Sequence, residues 1–161
     1  MWIKIAGLSL LVRLLFIFYI SKDDNYYEGV FSNIVDIDHK VYLDASLYES
    51  PYMRHTYRYS PILSWLVSPS YQLHQLYGRI IIAFFDFITI AFIYKIFANR
   101  PKESQENNNK AAKIISYLCA FNPVVIYITV RGSCEGITMA LAAAFWYFYF
   151  GGDVHGNMSP I

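Results

Sequence analysis

Apolar residues in this chain fall into long blocks separated by polar runs. Trp2 to Ile20 is interrupted only by Lys4 and Arg13, and Arg79 to Ala98 carries Asp86 inside it. A third block runs from about Ala111 to Val130 with Pro123 within it, and a fourth from about Ile137 to Phe150. A helix of roughly 20 apolar residues crosses the hydrocarbon of a bilayer. Four spans are therefore expected, and with them an all-α, multi-span membrane protein. Pro123 lacks a backbone donor and should kink or break the third span. A cleaved signal peptide is the rival reading of the first block. Its length, and the lack of an A-x-A-like site before Lys22-Asp23-Asp24, favour an uncleaved anchor.

The polar intervals set the orientation. Between Ser21 and Ser60 lie seven acids and four Lys or Arg, whereas Lys95 to Lys113 holds five basic residues and two acids. Lys and Arg near span ends mark the cytosolic side, so the second interval and the N-terminus are expected in the cytosol. The loop 21–78 then lies on the lumenal or external face, together with Arg131. Residues 99–110 read as a solvated cytosolic linker. Within the large loop, Asp38 can cap a helix running to about Tyr48. Pro61 to Val67 is too short to span and reads as an interfacial helix, with Trp65 at headgroup level.

Composition agrees with the blocks. The 161 residues are 56% hydrophobic, 19% aromatic and only 16% charged, against nearer a quarter charged in soluble domains. A net charge of +1 and the absence of a basic, aromatic-interleaved patch argue against a nucleic-acid partner. Cys119 and Cys134 sit in or beside apolar segments and read as packing residues.

Charges inside spans are costly and usually paired or functional. Arg13 lies seven residues before Ile20, and Asp86 seven residues after Arg79. At 1.5 Å per residue both sit about 10 Å below the same surface, and a structural ion pair is expected. Snorkelling of Arg13 and a direct substrate role for either residue are the alternatives. Gly136, Ala140 and Ala144 give the fourth span a small-residue face for close packing.

The candidate chemistry is concentrated at the lumenal surface. Asp36-Ile37-Asp38 places two carboxylates at i, i+2, a spacing that can bind a cation or remove a proton from a hydroxyl. D-x-D alone is unspecific; its place beside apolar helices points to a lipid-linked substrate. Arg131, next to flexible Gly132, suits a phosphate oxygen, or is an interfacial arginine snorkelling outward.

At these residues the chain resembles a known family. Val35-Asp36-Ile37-Asp38-His39-Lys40-Val41-Tyr42-Leu43-Asp44-Ala45, the block Ser50-Pro51-Tyr52-Met53-Arg54-His55-Thr56-Tyr57-Arg58-Tyr59-Ser60-Pro61, Asn122-Pro123 and Arg131-Gly132-Ser133-Cys134-Glu135 are similar to the first glycosylphosphatidylinositol (GPI) mannosyltransferase, the PIG-M family. The Ser-Pro-Tyr to Tyr-Arg-Tyr-Ser-Pro block is the specific part, and the likeness covers nearly everything from Trp2 to Phe150.

The resemblance implies a GT-C-type enzyme of the endoplasmic reticulum membrane. Such an enzyme moves the first mannose, in α1,4 linkage, from dolichyl-phosphate-mannose to the glucosaminyl-phosphatidylinositol precursor of the GPI anchor. It implies Asp36 or Asp38 as the catalytic base. Arg54, Arg58 or Arg131 would clamp phosphate, His55 would donate a hydrogen bond, and Glu135 would help bind substrate. A β-linked donor yielding an α product means inversion. A divalent metal is compatible with this chemistry but not required, and no metal or cofactor is assigned. A stabilising subunit similar to PIG-X is the implied partner. Family members are more than twice as long, and 151–161 resembles nothing in them, so a fragment, a truncated isoform or a faulty gene model is expected. A catalytically inactive isoform serving as a membrane subunit is the alternative function. A small channel using Arg13 and Asp86 would need polar faces along its spans, whereas the sequence shows isolated charges.

Overall fold

The computed structural model describes residues 2–20, 41–43, 45–53, 57–74, 76–100 and 104–151. Their regular structure is helical: α1 (Trp2–Ile20), α2 (Pro61–Val67), α3 (Tyr77–Ala98), α4 (Gln105–Ala120), α5 (Pro123–Val130) and α6 (Glu135–Gly151). Short 3-10 turns occupy Pro51–Met53 and Ser68–Tyr71. Residues 41–43 and 45 are also helical, and this stretch closes with Ser46 N–H donating to Leu43 O at 3.0 Å. This falls where a helix running to about Tyr48 is expected and ends nearer Ala45; its start, and the expected capping by Asp38, lie outside the described residues.

α3 is the centre of the bundle, with α1, α4 and α6 all packed against it. Trp2–Tyr19 and Tyr77–Ala98 are long and apolar enough to cross a membrane; the α4–α5 pair, bent by 49°, makes a third if it counts as one span. The bend has a local cause. The helix stops at Ala120, and Asn122 accepts a hydrogen bond from Val124 N–H at 2.9 Å, so that Pro123 opens α5 at a position where its missing donor costs nothing. The 17 residues of α6 rise only about 26 Å, less than the ~30 Å hydrocarbon core.

One boundary and one helix face differ from the sequence expectation. α4 begins at Gln105, not near Ala111, so the second half of the polar stretch taken as linker is helix. Ser104 caps it by accepting from Asn107 N–H at 3.4 Å, Lys110 pairs with Glu106 one turn earlier at 2.7 Å, and buried Asn108 donates to Arg100 O at 2.6 Å. The small-residue face of α6 is Gly136, Ala140 and Ala143, with Ala144 only half-buried, because a 3.6-residue turn carries a straight stripe from i+4 to i+7 and not to i+8.

Three apolar clusters hold the bundle. Ile5, Ala6, Ile90 and Ala120 join α1, α3 and α4. Ile17, Leu76, Ala83 and Val130 join the other end of α1 to α3 and α5. Tyr42, Ala45, Tyr57, Leu63 and Val67 form the core of the loop region, with Cys134 and Ile137 packed against it. Large apolar side chains also face outward, among them Leu11 and Leu15 on α1 and Leu141 and Phe148 on α6, as suits a membrane protein whose solvent is hydrocarbon.

Candidate functional site

Among the described residues Arg13, Arg79 and Asp86 are buried charges, and two of them meet. Arg13 Nε donates to Asp86 Oδ2 at 2.8 Å, and Arg13 is 1% exposed. Antiparallel packing of α1 on α3 thus brings the two residues to one depth and forms the expected structural ion pair. Neighbours extend it. Arg13 Nη1 donates to Ala120 O at 2.8 Å and also contacts the Ser9 hydroxyl, which itself donates to Ala120 O at 3.1 Å. Thr129 Oγ1 contacts Asp86 Oδ2 from α5. Gly136 on α6 completes the enclosure: a Cβ there would lie 2.8 Å from Asp86 Oδ1. One carboxylate is therefore bonded from α1 and α5, with α6 packed closely over it at Gly136.

Directly beyond Thr129 the chain turns. Gly132 has φ 79°, Gly132 N–H donates to Thr129 O at 2.9 Å and Ser133 N–H to Ile128 O at 3.2 Å. This double bond pattern ends α5 with a left-handed residue that glycine adopts without a Cβ clash. Arg131 is the C-cap of α5 and half-buried. Glu135 opens α6, is exposed, and its carboxylate accepts from the buried Ser133 hydroxyl. An acid in a first helical turn is favoured by the helix dipole. The turn is thus a fixed element carrying one cation and one anion.

The Tyr-Arg-Tyr-Ser-Pro block is largely a packing device. Tyr57 is buried, its hydroxyl donates to Ser60 O at 2.6 Å, and it meets Tyr52 and Tyr59 edge-on with ring centroids 5.9 Å apart. Tyr59 also meets Tyr42 at 4.9 Å. Burial pushes the Tyr57 phenol above its ordinary pKa, against hydrogen bonding with Ser64 that pulls it down. Arg58, between the two tyrosines, is exposed and donates to Tyr57 O at 3.4 Å. Ser60 leads into α2 with Pro61 at its first position.

Of the seven candidate site residues, the structure describes Arg58, Arg131 and Glu135; Asp36, Asp38, Arg54 and His55 lie outside the described residues. Described neighbours of both groups meet at one end of the bundle, where Cys134 and Ile137 pack on the Tyr42–Tyr57 cluster. Sequence reasoning missed Ser9, Thr129 and Ser133. Ser9 had a signal, one turn before Arg13; Thr129 reaches Asp86 only because α5 is bent against α4.

A family model described as GPI transamidase subunit PIG-U matches residues 7–158. Among curated proteins, GPI mannosyltransferase 1 of Saccharomyces cerevisiae is 35% identical over 96% of this chain and 40% of its own length. GPI mannosyltransferase 1 of Kluyveromyces lactis is 30% identical over 99% of this chain and 41% of its length, and that of Dictyostelium discoideum 30% identical over 95% and 37%. The chain thus spans about two fifths of the length of these relatives. No solved structure matches it.

Proposed function

The chain belongs to the GPI mannosyltransferase 1 and PIG-U type of membrane protein, and from that premise we propose that it serves transfer of the first mannose onto the GPI precursor. The donor is dolichyl-phosphate-mannose, the acceptor the glucosaminyl-phosphatidylinositol intermediate, and the new linkage α1,4. The reaction takes place at the lumenal face of the endoplasmic reticulum membrane. Four spans, with the loop 21–78 in the lumen, complete the arrangement.

The observation that carries this reading is the convergence of the loop region on the Arg131–Glu135 turn through Cys134 and Ile137. Asp38 is four residues from Tyr42, and four residues reach at most about 14 Å. Arg54 and His55 are bracketed between Met53 and Tyr57 of the same region. The reading brings the carboxylates, the arginines and the turn to one substrate. Asp36 or Asp38 takes the proton of the acceptor hydroxyl, and the oxygen attacks the anomeric carbon from the face opposite the phosphate. The C–O bond to dolichyl phosphate breaks, and the phosphate leaves with the electron pair. Arg58, Arg54 or Arg131 grips the departing phosphate in a planar fork, with His55 as donor and Glu135 on the acceptor sugar. Dolichyl phosphate already leaves well, so we assign no metal to the step. A stabilising subunit similar to PIG-X is the partner.

A second reading follows from the family model's description as a subunit: a non-catalytic membrane component that binds an assembly partner. The two separate in a chimera. This chain replaces the matched segment of the Saccharomyces cerevisiae enzyme in cells lacking that enzyme, and GPI-anchored protein at the surface is measured. Rescue that is lost on Asp36→Ala or Asp38→Ala, at unchanged protein level, supports catalysis. Rescue that survives both substitutions removes the two aspartates from the mechanism and favours the subunit reading.

A further inference from the structure

An ion pair buried among apolar helices adds little stability over apolar residues of the same volume. What it adds is direction, because its hydrogen bonds weaken steeply away from one geometry. Asp86 is fixed in this way. Arg13 Nε donates to its Oδ2 at 2.8 Å, and the same guanidinium is anchored through Nη1 on Ala120 O at 2.8 Å. The carboxylate is therefore located by α1 and α4 as well as by α3, its own helix.

The segment that carries Arg131 and Glu135 returns to this carboxylate at both ends. On one side the Thr129 hydroxyl donates to Asp86 Oδ2. That hydroxyl also lies 2.8 Å from Val125 O, and with one proton for two acceptors the charged one makes the stronger bond. On the other side Gly136 sits against Oδ1, where a Cβ would lie 2.8 Å from it. Arg131 is two residues beyond the first contact, and Glu135 is one residue before the second. The chain between them has little slack. Arg131 N–H donates to Tyr127 O at 3.0 Å, Gly132 N–H to Thr129 O at 2.9 Å and Ile137 N–H to Cys134 O at 3.0 Å. The Ser133 hydroxyl donates to the Glu135 carboxylate. A displacement of Asp86 is thus passed directly to both candidate site residues.

We propose that Asp86 is a positioning residue for the transfer reaction. It touches no substrate; by bonding Thr129 and seating Gly136 it sets the distance and aim of Arg131 and Glu135. This role rests on the mannosyl-transfer reading, in which those two side chains meet phosphate and acceptor sugar. Such placement matters to rate, since a misplacement of about 1 Å costs on the order of a hundredfold.

The test removes one hydroxyl. Thr129→Val keeps the size of the side chain and loses the bond to Asp86, whereas Thr129→Ser keeps the bond. Ser9→Ala loosens the same ion pair from the α1–α4 side, away from the turn. The full chain is placed in phosphatidylcholine vesicles with Cys119→Ala, which leaves Cys134 in the turn as the sole thiol. Alkylation of Cys134 by N-ethylmaleimide should speed up severalfold in Thr129→Val and stay at the original rate in Thr129→Ser and Ser9→Ala. The rate in dodecyl sulfate marks unfolded chain, and Thr129→Ala removes the same hydroxyl should the valine variant reach that rate. In the chimera, Thr129→Val should lower kcat/KM per folded molecule by roughly tenfold or more, while Thr129→Ser and Ser9→Ala keep it. Alkylation unchanged by loss of the hydroxyl means that the turn is held without Asp86 and overturns the proposal. Faster alkylation with undiminished transfer means a bond that only stabilises, and overturns it as well. An inserted chimera of unaltered sequence that makes no product fails the mannosyl-transfer reading itself and takes this role with it, an outcome distinguished by inactivity before any substitution at Thr129.

Discussion

Arg13 and Asp86 test the account at the scale of single residues. Removing one partner of a buried pair leaves a lone charge, at a cost of roughly 3–5 kcal/mol in protein interiors, while removing both need not. Arg13→Ala and Asp86→Ala should each lower the melting temperature of the solubilised protein more than the double variant does. Strictly additive losses in that cycle would mean that the two residues do not interact. This pair was legible because a span fixes depth, and equal distances from two span ends led directly to the 2.8 Å contact. Thr129 was not legible, since depth says nothing about which way a bent helix turns its hydroxyl. Tyr57 gives a second test, outside the spans. Its raised pKa means that above about pH 10, the ordinary tyrosine value, the unfolded chain loses the phenol proton before the folded chain does. Stability contributed below that pH is then lost as pH rises through the raised value. Tyr57→Phe should make the alkaline fall of the melting temperature shallower, and an unchanged slope would contradict the burial argument.

At the scale of elements, α6 reaches α3 through Gly136. A methyl group there meets Asp86 Oδ1 at 2.8 Å and Ile82 O at 3.4 Å, and Asp86 cannot yield without leaving Arg13 and Thr129. Gly136→Ala should therefore destabilise by roughly 1–3 kcal/mol, as overpacking of a close contact does. Gly7→Ala, in α1 with nothing within 4 Å of the added carbon, should be neutral or stabilising by up to about 1 kcal/mol, since alanine is the better helix former. The comparison by thermal unfolding needs no knowledge of activity. Equal effects would show that α6 does not depend on the glycine. The break at Pro123 and the first two members of the α6 stripe, Gly136 and Ala140, could be read from residue type; its turn from Ala144 to Ala143 could not. The start of α4 could not: Gln105 to Lys110 carries no apolar periodicity, and its helix rests on the Ser104 cap, the Glu106–Lys110 pair and buried Asn108.

For the whole molecule, the apolar blocks correctly announced an all-helical membrane protein, because the hydrocarbon requirement is written in composition. The number of crossings was harder to read, since a bent pair and a 17-residue helix are both compatible with more than one count. Orientation can be measured directly. With the large loop in the lumen, an N-glycosylation acceptor engineered between residues 21 and 40 should be modified and one engineered at 101–103 should not; the reverse pattern would invert the topology. The central claim, that this chain supplies the acidic loop of a mannosyl transfer, is tested most directly in membranes from cells that lack their own GPI mannosyltransferase 1 and express the chimera. With labelled dolichyl-phosphate-mannose and glucosaminyl-phosphatidylinositol, the account predicts a single labelled product, mannosyl-glucosaminyl-phosphatidylinositol, that disappears when Asp36 and Asp38 are both changed to Ala. An inserted, full-length chimera that makes no such product, or one that makes it equally well without the two aspartates, would contradict it.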